Sequence, residues 1–142
     1  MKRLNKQGHK ALVLWAVNCA EHVLQLFEKK YPKDNRPRKA IKAGRAWIHD
    51  KIAMSELRAA ALAAHAAARD ADDSAARAAA RAAGQAVATA HVAGHAPHAA
   101  VYALTAAATA GIAKEHEWQY RHLPIRLRPI AFPMRKTFKQ NI

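Results

Sequence analysis

The chain has a single cysteine, Cys19, so no disulfide can form within it. A reducing cytoplasm is the expected home. Its start, through Lys2, Arg3, Lys6 and Lys10, runs across charges and not into an apolar stretch with a small-residue cleavage site, so no secretory signal is read there. Between Ala53 and Ala113 the only proline is Pro97, which leaves little to break a helix. From Ala82 to Ala113 there is no Asp, Glu, Lys or Arg. That stretch is nevertheless not read as a membrane span. It is mostly alanine, with weak insertion drive, and Gln85, His91, His95, Pro97, His98, Thr105 and Thr109 interrupt it. Acidic residues are also scarce, 10 against 24 Lys and Arg, giving a net charge of +14. Residues 1–49 hold twelve basic and three acidic residues, 50–112 five of each, and 113–142 seven and two. A neutral middle with two basic ends favours anionic partners and solubility and excludes no fold.

What is there is alanine, thirty of the sixty-one residues from Ala53 to Ala113. Alanine is the strongest helix former, and 142 residues suffice for one cored domain. The predicted fold is all-α, a compact Ala-rich bundle of five to six helices with a Pro-rich extended C-terminal tail. Leu12, Ala16, Cys19, Val23, Leu26 and Phe27 recur at helical steps and predict a first helix from about His9 to Lys30, ended by Tyr31-Pro32. Asp34 or Asn35 caps a second, with Pro37 in its first turn and Ile41, Arg45, Trp47 and Ile48 along it to about Asp50. A third runs from Ser55-Glu56 to about Arg69, and residues 70–74 form a turn and cap. A fourth, from about Ala75 to Ala93, aligns Ala76, Ala80, Ala83, Val87, Ala90 and Gly94, small residues that let helices approach closely. Gly94 and Pro97 mark a break. A fifth carries Val101, Leu104, Ala108 and Ile112 and closes at Gly111, and a short helix spans Lys114 to Arg121. Three prolines in ten residues then predict an extended strap or flexible tail, so the bundle is assigned to 1–122 and the basic tail to 123–142.

Several segments taken together resemble a known family. They are Cys19-Ala20-Glu21-His22, Tyr31-Pro32, Arg36-Pro37-Arg38-Lys39-Ala40-Ile41 with Trp47, residues 64–69 and residues 84–92. As a set, over roughly Leu12 to His122, they resemble the immunity-protein-five-like domain of small bacterial and archaeal proteins. The resemblance implies a helical bundle that neutralises a cognate toxin by binding it, with no catalytic residues to carry over.

Three groups of residues are of types that carry chemistry. His91 and His95 stand four apart, the spacing of two zinc ligands on one helix face, with His98 beyond the break. No carboxylate lies between them, so the metalloprotease pattern is absent, and they read as weak metal candidates beside the plainer reading of packed, hydrogen-bonded histidines. Cys19 stands three before His22, a thiol within reach of an imidazole, but in the middle of an apolar stripe, where free cysteine acts as a small hydrophobe. Glu21, His22, Arg45, His65, Arg69 and His91 lie on or beside apolar stripes and predict a buried polar network; a small-molecule or anion pocket is the alternative. No cofactor is predicted.

The sequence therefore points to a non-enzymatic protein-binding module with a cognate toxin as partner. Its contact surface is placed on the basic face of the second helix, at Arg36, Arg38, Lys39 and Lys42. Nucleic acid is the alternative partner, held by Lys2, Arg3, Lys6 and Lys10 at one end and Arg126, Arg128, Arg135, Lys136 and Lys139 at the other, with Phe132 and Phe138 for stacking. A metal-dependent enzyme using His91 and His95 is the third reading. No membrane partner is predicted, and homo-oligomers are compatible with the composition.

Overall fold

The computed structural model of the chain describes residues 4–132. Asn5 opens the first helix: its backbone is extended, and its Oδ1 accepts a hydrogen bond from Gly8 N at 2.7 Å. That satisfies one of the amides a helix start leaves unpaired. Helix α1 (Lys6–Val23) therefore begins ahead of His9, and the predicted run to Lys30 is broken at Leu24 before a single further turn, α2 (Gln25–Glu28). The break keeps Leu24 and Phe27 both in the core. Helix α3 (Arg36–Ile48) carries Pro37 in its first turn, and Asp34 Oδ1 receives Arg36 N at 3.1 Å. Asp50, in the left-handed region at φ 57°, turns the chain toward α4 (Met54–Asp70). Asp73 caps α5 (Ser74–Ala88), its Oδ2 accepting from Ala76 N at 2.9 Å. A 3-10 turn at Ala93–His95 leads into α6 (Ala96–Thr109); α7 (Glu115–Arg121), a second 3-10 turn at Ile125–Leu127, and α8 (Arg128–Ala131) complete the order. The described residues are all-helical, in eight α segments where five to six were predicted, because the first helix is split and residues 128–131 add a short one.

Helix α5 lies in the middle, packed against α1, α2, α3, α4 and α6. A helix enclosed on most sides has to be apolar around nearly its whole circumference. Alanine and glycine meet that demand while letting neighbours approach. Ala76, Ala79, Ala80, Ala83, Gly84 and Val87 are all buried, and beyond the first two residues only the stripe Arg77, Arg81, Gln85 and Ala88 reaches solvent. Two glycines set the closest approaches: a methyl on Gly44 of α3 would stand 2.7 Å from Val17 Cγ2 of α1, and one on Gly84 2.6 Å from the His65 ring of α4.

Three predictions fail here. Helix α5 ends at Ala88 and not near Ala93, with Ala90 still buried but Gly94 exposed. Helix α6 buries Ala99, Ala103, Ala106 and Ala107, whereas Val101 and Ile112 of the predicted stripe are 58% and 41% exposed. Facing α5 and α1 at close range requires the narrower side chains, which pushes the larger ones outward. The chain after His122 is not extended as far as it is described: Leu123, Leu127 and Ala131 are buried across the two short helical turns. Phe132 meets Trp15 edge-on with ring centroids 5.6 Å apart, and the Arg128 guanidinium lies 4.0 Å from the centre of the Tyr120 ring. Residues 133–142, where the rest of the predicted tail falls, lie outside the described residues.

The far end is held by one buried amide. Trp15 Nε1 donates to the Gln119 carbonyl at 2.8 Å, and Gln119 Nε2 donates to the Ala100 carbonyl at 2.8 Å. Both side chains are within 2% of full burial, so each polar atom needs this partner.

Candidate functional site

The predicted polar network divides into separate clusters. On the α1–α3 side, Glu21 accepts from Arg38 Nη1 at 2.8 Å and from Arg45 Nη2, which also reaches Asn18 Oδ1 at 3.1 Å. Arg38 is shared with Glu28 at 2.7 Å. These groups are partly solvated and form a clamp between the helices. Beside it, His22 Nδ1 donates to Glu115, 2.9 Å from Oε1, a carboxylate only 2% exposed. Trp118 stacks on the His22 ring at 3.8 Å and on His122 at 4.3 Å, a three-ring column. Glu115 opens α7, where a negative charge suits the helix start.

The basic face predicted as the contact surface is largely engaged within the chain. Arg36 Nη2 meets Asp34 at 2.7 Å and Asp70 at 2.9 Å, and Arg38 meets Glu28 and Glu21. Hydrogen bonds donated to these carboxylates, Asp34 first for Arg36 and Glu28 first for Arg38, hold both guanidiniums more firmly protonated than usual. Lys39 and Lys42 are exposed, and among the described residues neither has an ion-pair partner. The basic N-terminus is likewise partly engaged: Lys10 Nζ is 3.0 Å and Lys6 Nζ 3.9 Å from the Asp50 carboxylate. Of the other residues assigned to nucleic acid, Arg126 is exposed and Arg128 sits on Tyr120. Lys2, Arg3, Arg135, Lys136, Phe138 and Lys139 lie outside the described residues.

Cys19 is fully buried, and burial first, then the Glu115 charge, raises its thiol well above the ordinary range. A protonated, enclosed thiol is a poor nucleophile. His22 turns away from it to Glu115.

His91 and His95 do not share a helix face, which corrects the spacing argument. Helix α5 has ended before His91, and His95 belongs to the following 3-10 turn. Among the described residues no group of three His, Cys, Asp or Glu is arranged to hold a metal. The two histidines instead line, with His65, a groove of about 260 Å³ between α4 and α5, whose other walls are Leu57, Arg58, Ala61, Leu62, Gln85, Val87 and Ala88. The His65 ring lies over Gly84, and its Nδ1 accepts from Arg81 Nη1 at 2.9 Å. His95 Nδ1 is 2.8 Å from Gln85 Oε1, and Arg58 Nη2 stands 3.3 Å from both nitrogens of His91. Burial, then the neighbouring Arg81 charge, lowers the His65 value from 6.5; burial, then His98, lowers that of His95. Arg69, the remaining member of the predicted network, is exposed at the end of α4. Sequence reasoning missed Arg58, Leu62 and Arg81 as groove residues; the one signal that pointed there was Gly84, alone in a run of alanine where a glycine weakens the helix.

The family described as Imm-5 like putative immunity protein matches residues 2–126, from the start of the basic N-terminus into the second 3-10 turn. The chain belongs to this family. The match is longer at both ends than the resemblance first drawn over Leu12 to His122, and takes in all of α1 to α7. Neither a curated protein nor a solved structure matches the chain. Among the described residues of this immunity-protein family member, the two lysines of α3, the ring column at α7 and the α4–α5 groove all reach the surface.

Proposed function

We propose that this chain is a non-enzymatic immunity protein, which neutralises a cognate toxin by protein-protein contact in the cytoplasm. The observation that carries the reading is the family match across the whole bundle, residues 2–126. It is supported by the state of the groups that would otherwise perform chemistry: Cys19 is enclosed and protonated, and the carboxylates Glu21, Glu28 and Glu115 are engaged with arginine or histidine. No helix of the described residues is long and apolar enough to cross a membrane. With a net charge of +14, the chain favours a toxin that presents an acidic contact surface.

The test is co-expression with each protein encoded beside it in the genome. A cell that dies when the neighbour is made alone and grows when both are made, with the two proteins co-purifying, is the expected result. Toxicity that persists in the presence of this chain for every neighbour would sink the reading.

A further inference from the structure

The groove between α4 and α5 is a built feature. Gly84 weakens the helix that forms the middle of the fold relative to alanine, and any side chain there would collide with His65. One turn earlier Arg81 holds the same ring by Nδ1. Because that nitrogen accepts, the proton of the neutral ring is on Nε2, for which the described residues offer no hydrogen-bond partner. The same groove is lined by Arg58, exposed, with only the loose contact to His91. The floor is apolar, Leu57, Ala61 and Val87, and Leu62 at its rim is 69% exposed. No carboxylate lines the groove. Hydrogen-bond donors of positive or neutral character thus border an uncovered apolar surface.

We propose that this groove is the partner-contact surface and that it takes an acidic polypeptide segment bearing an apolar side chain. The apolar side chain rests on Leu57, Ala61, Leu62 and Val87, and a neighbouring carboxylate accepts from Arg58 and His65 Nε2. This rests on the immunity reading, and it moves the contact surface from the α3 face, whose arginines are engaged internally, to α4 and α5. Charge decides the occupant. A second copy of this chain carries the same net charge of +14, which opposes its approach to a groove lined by Arg58 and by no carboxylate. A small amphiphilic anion would leave Leu62 uncovered, whereas a protein surface around an inserted side chain covers it.

Two arms test the proposal separately from the reading beneath it. In the first, the acetylated and amidated peptide Asp-Glu-Leu-Trp-Glu-Asp is titrated into the full isotope-labelled chain and followed by amide shifts. Shifts should map to residues 57–65 and 84–95. Affinity should fall about tenfold or more in Leu62→Asp and in Arg58→Glu, both exposed positions whose variants are checked for unchanged helicity. The double variant Lys39→Glu/Lys42→Glu should bind as the wild type does. Shifts centred on α3, equal binding of Lys-Lys-Leu-Trp-Lys-Lys or Asp-Glu-Ser-Ser-Glu-Asp, or no shift at all would overturn the groove. In the second arm the same variants enter the co-expression assay: loss of protection in the groove variants and its retention in the α3 variant is expected. Protection by the wild type that survives Arg58→Glu and Leu62→Asp overturns the groove and leaves the immunity reading standing. Failure of the wild type to protect removes the reading, while the peptide still decides what the groove binds.

Discussion

Replacing Gly84 by alanine sets two opposed effects against each other. The added methyl would lie 2.6 Å from His65 Nε2, 2.7 Å from Cε1 and 2.8 Å from Cδ2, where van der Waals contact needs about 3.5–4.0 Å. The ring must therefore rotate into the groove. That breaks its hydrogen bond from Arg81, a net loss of about 0.5–1.5 kcal/mol, together with the packing of the ring on α5. In the other direction, alanine inside a helix gains about 0.5–1 kcal/mol over glycine. Gly84→Ala alone should thus fall within about 1 kcal/mol of the wild type, on the destabilised side. In a His65→Ala background the obstructing atoms are gone, and the same substitution should stabilise by about 1 kcal/mol. Urea unfolding of the four proteins gives the coupling between the two positions, expected at about 1–2 kcal/mol. Additivity to within about 0.5 kcal/mol would show that the ring does not rest on Gly84, and the account of the groove as a built feature would fall with it.

Gly44→Ala should destabilise by about 1–3 kcal/mol, since its methyl meets Val17 Cγ2 at 2.7 Å in the core and cannot escape to solvent; an unchanged or raised melting temperature contradicts the close approach of α1 and α3. Cys19 should be inert to a thiol reagent in the native protein and react at the rate of a free thiol once denaturant unfolds the chain, because burial raises its value and closes access; fast native modification would place it at the surface. Stability should depend on pH through His65. Its folded value lies below 6.5, so the unfolded chain binds the proton more readily, and the contribution is complete above that pH and declines as acidification proceeds from 6.5 to the folded value. Unfolding measured between pH 7.5 and 5.5 should show a shallower decline in His65→Gln; an identical slope would assign the effect elsewhere.

The helices were legible because alanine and the caps announce them. Asp73 and the Asp34–Pro37 start sit where turn chemistry requires. The orientation of α6 was not legible, because a helix made almost entirely of alanine offers little contrast between faces, and the few larger residues drew the predicted stripe to the side that packing leaves outside. The prolines misled in another way. Pro129 occupies the first turn of α8 and Pro124 immediately precedes the second 3-10 turn, positions at which a missing amide costs nothing, so a segment that reads as extended is helical. For the site, His65, His91 and His95 were singled out as residues. Their grouping was not visible, because it depends on where α5 stops and on which turn of α4 lies over Gly84. The membership of Arg36 and Arg38 in ion pairs was hidden for the same reason: Asp70 and Glu21 are distant in sequence and adjacent in space.

Five other helices pack on α5 and leave little more than its one polar stripe open to solvent. Its inward-facing amides, those of Ala79, Ala80, Ala83 and Val87, can meet deuterium only when the surrounding helices have separated, so their exchange should follow the free energy of global unfolding while the ends of α1 and the α7 column exchange earlier. A chain whose middle segment is the last to open has no half that stands alone.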